Sequence, residues 1–222
     1  MIRLFAINNQ MNVTNKHFTL LLLIDRAPCR EGGAMSEDNI DIEIEIELIV
    51  DQVKNGDKEA FRLLVYKYQR KIHLYCYHML GNRQEAEDAV QEIFLKCYQK
   101  ISKYASSTAF SGWLYKLAYY HCINLLKKRK VRYKILNLYR VQCEQSQGML
   151  DYSPSIHELL SLLSPEDRNL LVLRVSEEKS FEEISRIMNR TPAALRKRFE
   201  RIRKKLKLIQ MEEYPKWNKN SI

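Results

Sequence analysis

The sequence predicts an all-α chain built as two small helical domains joined by a flexible linker, and three observations predict it. Apolar residues recur every three or four positions through most of the chain after Met35. Glycine and proline are scarce, 6 and 5 in 222 residues, and most fall between those apolar runs. Several runs are preceded by a Ser, Thr, Asp or Asn suited to capping a helix start. With 45% hydrophobic and 29% charged residues, the chain can bury cores and is not compositionally disordered.

Taken in order, the first segment is ambiguous. DIEIEIEL at 41–48 alternates as a strand would, but Leu48, Ile49 and Val53 have helical spacing and Asn55-Gly56 reads as a stop. An acidic lead into a short helix is expected there. Asp57 then caps a helix in which Phe61, Leu64, Val65, Tyr68, Ile72, Tyr75 and Met79 form the apolar stripe, ended by Gly81-Asn82. The next helix is EAEDAVQEIFLKCYQK, and beyond the polar loop SSTAF a further one, SGWLYKLAYYHCINLLKKRK, completes a bundle.

Residues 135–155 lose clear periodicity and gain Gln, Ser, Gly and Pro, which predicts the linker. The second half restarts at Ser164-Pro165, Ser180-Phe181 and Thr191-Pro192. The first two starts have an acid three residues after the serine, and the third has proline at the first helical position. The short IMNRTP link between the last two helices is the turn of a helix-turn-helix. The boundaries expected are thus 45–134 for the first domain, 156–208 for the second and a tail over 209–222.

Charge divides along the same line. Met35 to Lys100 carries 9 basic and 13 acidic residues, whereas Ile101 to Ile222 carries 24 basic and 12 acidic. One end suits a basic partner and the other a polyanion, for which nucleic acid is the first candidate. The cysteines at 29, 76, 97, 122 and 143 show no CxxC spacing, so reduced thiols in a cytoplasm are expected and no metal or cofactor is implied. The five histidines are isolated and no carboxylate cluster is joined by a nucleophile or a Gly-rich loop, which argues against a catalytic site and a small-molecule substrate.

FTLLLLI at 18–24 is too short to span a membrane. Arg3 and Lys16 before it and small residues after it also fit a signal peptide, a fate at odds with a DNA-binding chain. REGGAM at 30–35 back-translates to a purine-rich tract before a start codon. Met35 is therefore the expected start, with 1–34 a disordered leader.

Three surfaces stand out. On the acidic helix, Ala86, Ala89, Val90, Ile93, Phe94, Cys97 and Ile101 project to one arc, and Asp88, Gln91, Glu92 and Leu95 to the other. A leucine among carboxylates and an amide suits an Arg-rich partner helix better than water. The following helix runs from Phe110, Trp113, Tyr115, Tyr119 and Tyr120 into Lys127, Lys128, Arg129, Lys130, Arg132 and Lys134. Rings can stack on unpaired bases while the basic run tracks phosphates, although Trp113, Leu114, Leu117 and Leu125 are assigned to the core first. The last helix sets eight basic residues between Arg196 and Lys207 against Glu200, with Leu195, Phe199, Ile202 and Leu206 as its buried stripe, a pattern suited to the major groove.

These blocks, in this order, resemble the extracytoplasmic-function (ECF) sigma factors of RNA polymerase over about residues 45–208. The resemblance implies a sigma factor that directs promoter-specific initiation, with 45–134 as its region 2 and 156–208 as its region 4. It implies that Asp88, Gln91, Glu92 and Leu95 meet the clamp coiled coil of core polymerase. Phe110, Trp113, Tyr119, Tyr120, Lys127, Lys128 and Arg129 would capture and melt the minus-ten element, and Thr191, Ala194, Arg196, Lys197, Arg198 and Arg201 would read the minus-thirty-five element. It also implies an anti-sigma factor as a further partner. Tyr119 and Tyr120 replace a basic residue and an Asn frequent in the family, and Met188-Asn189 replaces a Leu-Gly turn; Asn tolerates the left-handed backbone required there. The alternative is a stand-alone helix-turn-helix regulator, which would have no use for the acidic face.

Overall fold

A computed structural model describes residues 37–105, 109–139 and 156–213. The expectations for 1–34 and for most of the linker fall outside them. Every regular element among the described residues is helical.

The first helix, α1 (Glu37–Lys54), settles the ambiguous segment. It is helix from end to end, longer than the acidic lead and short helix expected. Ile46, Val50 and Val53, four and three residues apart, are all buried. Burying one helical stripe outweighs the period-2 alternation, which would have divided these residues between two faces. Helix α2 (Lys58–Leu80) starts where Asp57 accepts from the Glu59 and Ala60 amides at 2.8 and 3.2 Å. It ends at Gly81, whose φ of 71° is a left-handed cap open to glycine at no steric cost.

Helix α3 (Arg83–Lys100) is capped by Asn82, which accepts from the Glu85 amide at 3.0 Å. It buries Ala86, Ala89, Ile93, Phe94 and Cys97, the expected arc. Helix α4 (Phe110–Tyr139) is longer than foreseen and carries helix five residues into the segment read as linker. These four helices pack as a bundle in which α2 touches each of the others.

The second unit comprises α5 (Ile156–Ser161), α6 (Pro165–Leu171) continued by a π-helical turn (Val172–Ser176), α7 (Phe181–Met188) and α8 (Pro192–Glu213). Helix α8 extends five residues beyond the expected domain end. A complete capping box starts α7: Ser180 Oγ accepts from the Glu183 amide at 3.1 Å, and the Glu183 carboxylate accepts from the Ser180 amide at 2.7 Å. Asn189 ends it at φ 56°, the left-handed turn anticipated.

The two units touch. One continuous set of buried apolar residues runs from Ile46 to Leu206, and several buried polar contacts join them. The Arg168 guanidinium donates to the Leu160 carbonyl at 2.8 Å and crosses to the Met79 carbonyl at 2.6 Å. Tyr75 donates to Asn169 Oδ1 at 2.6 Å. Tyr115 donates to the Glu177 carboxylate, and the Lys179 ammonium lies 5.5 Å from the same ring.

Candidate nucleic-acid interface

On α3 the structure brings Asp88, Gln91, Glu92 and Leu95 together as an exposed face. Leu95 is 52% exposed, and Tyr98, a turn further on, is 40% exposed. Glu92 reaches Lys96 only at 3.8 Å, so its carboxylate is left largely for another partner. The sequence reading missed Tyr98, although its spacing from Leu95 would have found it.

The aromatic cluster at the start of α4 divides. Phe110 is 1% exposed and wedged among Tyr68, Tyr104 and Trp113, with ring centroids 5.6–5.7 Å apart. Its expected contact with DNA is corrected to a core role. The first ring of the helix faces inward and seals the end of the bundle, burying apolar area that a base would otherwise cover. Trp113 is partly buried against Tyr104 at 5.3 Å, in keeping with its assignment to the core first.

Tyr119 is 9% exposed while Tyr120, its ring neighbour at 5.3 Å, is 50% exposed. Burial pushes the Tyr119 hydroxyl upward, with Glu166 adding to the shift and Arg198 and Arg190 opposing it. Those three residues belong to the second unit, which therefore approaches this part of α4. Arg129 is also committed: it donates to the Leu80 carbonyl at 3.1 Å and pairs with Glu85, capping the end of α2. This structural role stands beside the one expected of it at DNA. Lys127 and Lys128 remain exposed.

The turn and α8 present the other face. Thr191 accepts from the Ala194 amide at 3.3 Å, and Thr191, Ala194, Lys197 and Arg201 are exposed along one side. Arg196 is only partly exposed, paired with Glu182 at 2.7 Å and lying 5.5 Å from the Phe181 ring. Arg198 pairs with Asp167 at 2.5 Å. Of the expected arginines, Arg201 is thus directed outward and the other two brace α8 against its neighbours. Leu195, Phe199, Ile202 and Leu206 are buried, as the stripe required.

Among the described residues no group of His, Cys, Asp and Glu is arranged to hold a metal ion, and no helix is long and apolar enough to cross a membrane. Cys76, Cys97 and Cys122 are buried free thiols, and burial pushes Cys97 up to about 12. Sequence reasoning missed Arg168, Asn169 and Glu177. Each works through a partner 62 to 94 residues away, and no local pattern signals such a contact.

Residues 64–132 match the family model of Sigma-70 region 2, and residues 154–206 that of Sigma-70 region 4. The ECF RNA polymerase sigma factor SigW of Bacillus subtilis is 33% identical over 181 residues, spanning 75% of this chain and 97% of the relative. The RNA polymerase sigma-H factor of Pseudomonas aeruginosa is 31% identical over 170 residues, spanning 70% and 88%. Among solved structures, CnrH in complex with the cytosolic domain of CnrY shares the fold with a TM-score of 0.58, at 20% identity over 73% of this chain and 94% of that one. The sigma factor RpoE bound to the anti-sigma factor NepR from Bartonella quintana does so with a TM-score of 0.54, at 17% identity over 71% and 98%.

Proposed function

The chain belongs to the ECF sigma factors of RNA polymerase, and from that premise we propose how its surfaces divide the work of promoter-directed initiation. The face of α3 docks on core polymerase: Asp88, Gln91 and Glu92 supply polar contacts to a basic coiled coil, and Leu95 with Tyr98 supplies the apolar centre. The observation that carries this is the joint exposure of four residues of opposite character on one helical face. A solvated surface has no need of a leucine among carboxylates.

Promoter DNA is shared between the two units, residues 45–134 and 156–208. Tyr120 offers a ring to an unpaired base and Lys127 and Lys128 track the adjoining phosphates, while Phe110 and Trp113 stiffen the platform from below. In the turn and α8, Thr191 approaches the backbone, and Ala194, Lys197 and Arg201 face base edges in the major groove. Arg196 and Arg198 set the angle of the helix through Glu182 and Asp167. Tyr119 joins the first surface only where the second unit has moved off it.

The protein acts in the cytoplasm, without catalytic activity of its own. Its third partner is an anti-sigma factor, the kind of partner NepR is to the RpoE of Bartonella quintana.

Charge reversal at Glu92 tests the docking assignment. Glu92→Lys should weaken capture by core polymerase about tenfold or more, ~1.4 kcal/mol, while anisotropy on labelled DNA shows no loss of binding. Unchanged capture would sink the polymerase-facing role of α3.

A further inference from the structure

Between α3 and α4 lies a cleft of about 310 Å³ lined by Lys96, His121, Asn124, Leu125, Lys127 and Lys128. No carboxylate lines it. Glu92 stands at its edge, 3.8 Å from Lys96. The Lys96 ammonium and His121 Nδ1 are 2.7 Å apart. Lysine can only donate, so Nδ1 accepts and the neutral ring carries its proton on Nε2. Burial and the charges of Lys96 and Lys128 both hold the imidazole below its ordinary value, keeping it neutral; Glu92 alone opposes them.

The polar lining is therefore rich in donors: three ammonium groups, an imidazole N–H and the amide of Asn124. Concave, cationic and free of acid, it is complementary to a tetrahedral anion with several acceptor oxygens. Its position narrows the source. Tyr120, Asn124 and Lys128 recur every four residues along the exposed side of α4, with Lys127 beside the last, so Asn124 of the cleft follows Tyr120 by one turn, about 6 Å along the helix axis.

We propose that this cleft is a phosphate site that seats a backbone phosphodiester of the unpaired promoter strand, next to the base stacked on Tyr120. The assignment rests on the reading of Tyr120 as a base platform and adds to it Lys96, His121 and Asn124. It also gives α3 two occupied sides, polymerase on Glu92 and DNA on Lys96, one helical turn apart.

The test uses the full-length chain and a fluorescein-labelled single-stranded 12-mer of mixed sequence, with anisotropy read between 50 and 200 mM salt. A phosphate gripped by the cleft contributes roughly 0.7 to the slope of log K against log salt. Lys96→Gln and, independently, Lys128→Gln should each flatten the slope by about that amount and weaken binding severalfold at low salt. His121→Gln should weaken binding with less change of slope. Tyr120→Ala should weaken binding with the slope retained. Far-UV melting curves identify any variant that fails to fold, and the remaining substitutions then carry the test.

Wild-type slopes and affinities for the three cleft variants, with Tyr120→Ala still defective, would overturn the phosphate site and leave the base platform standing. Unchanged binding in all four would overturn both. Inorganic phosphate titrated at constant ionic strength separates the sources: saturable movement of the His121 ring resonances at micromolar phosphate, undisturbed by the 12-mer, would assign the cleft to a free anion and overturn the strand assignment.

Discussion

Asn189 sits at φ 56°, where an L side chain is crowded and only Gly, or a residue able to bond its own backbone, is comfortable. Asn189→Gly should be neutral or slightly stabilising, and Asn189→Val should cost ~1–2 kcal/mol in chemical denaturation. Equal stability of the two variants would show that the turn tolerates a right-handed backbone. This residue was legible because turn chemistry is local. Phe110 was not: its place at the start of an aromatic run suggested a platform, and only Tyr68 and Tyr104, from elsewhere in the bundle, show that it points inward. Tyr119 and Tyr120 make the same point, since nothing in two adjacent tyrosines says which one a distant helix will cover.

Helices were legible wherever a cap and an apolar stripe agreed. Asp57 and Ser180 each begin the element they were expected to begin, whereas Asn82, read only as the end of α2, also caps α3. Where cap and period disagreed, at α1, the stripe prevailed; where polar composition suggested a linker, α4 simply continued to Tyr139. Ser180→Ala removes one half of a reciprocal cap and should cost ~1 kcal/mol, read as a lower denaturation midpoint at unchanged slope. The seam of α3 and α4 has its own pH signature. With His121 held below its unfolded value by burial, Lys96 and Lys128 and raised only by Glu92, the folded state binds fewer protons. Its contribution is present above the ordinary histidine range and is lost as pH falls through the depressed value. Lys96→Met should move the His121 ring resonances toward an ordinary titration; an unmoved curve would mean that Lys96 does not hold the ring neutral.

At the scale of the molecule, a chain expected to be two domains on a flexible tether has them in contact through polar groups: Arg168, Asn169 and Glu177 against Met79, Tyr75 and Tyr115. Asn169 is fully buried, yet its amide nitrogen has no hydrogen-bond partner among the described residues. A junction of this kind costs desolvation on closing and regains water on opening. Burial raises Glu177, while Tyr115, Lys71 and Lys179 pull the other way. A raised carboxylate favours the closed form most when protonated, so closure weakens as pH rises through that raised value. Glu177→Gln, a mimic of the protonated acid, should therefore tighten the junction and shorten the distance between dyes placed on α3 and α8. A longer distance would reverse the sign assigned to this group.

The last carbonyls of α2 are held by two guanidinium groups of different origin. Leu80 is served by Arg129 of the same bundle, and Met79 by Arg168 from across the junction. Three residues later α3 begins. When Arg168 withdraws, the end of α2 loses a staple, and amide exchange over Tyr77–Asn82 should quicken at the root of the helix proposed to face polymerase. The separation of the two halves is then audible at the proposed docking surface itself, before any partner has arrived.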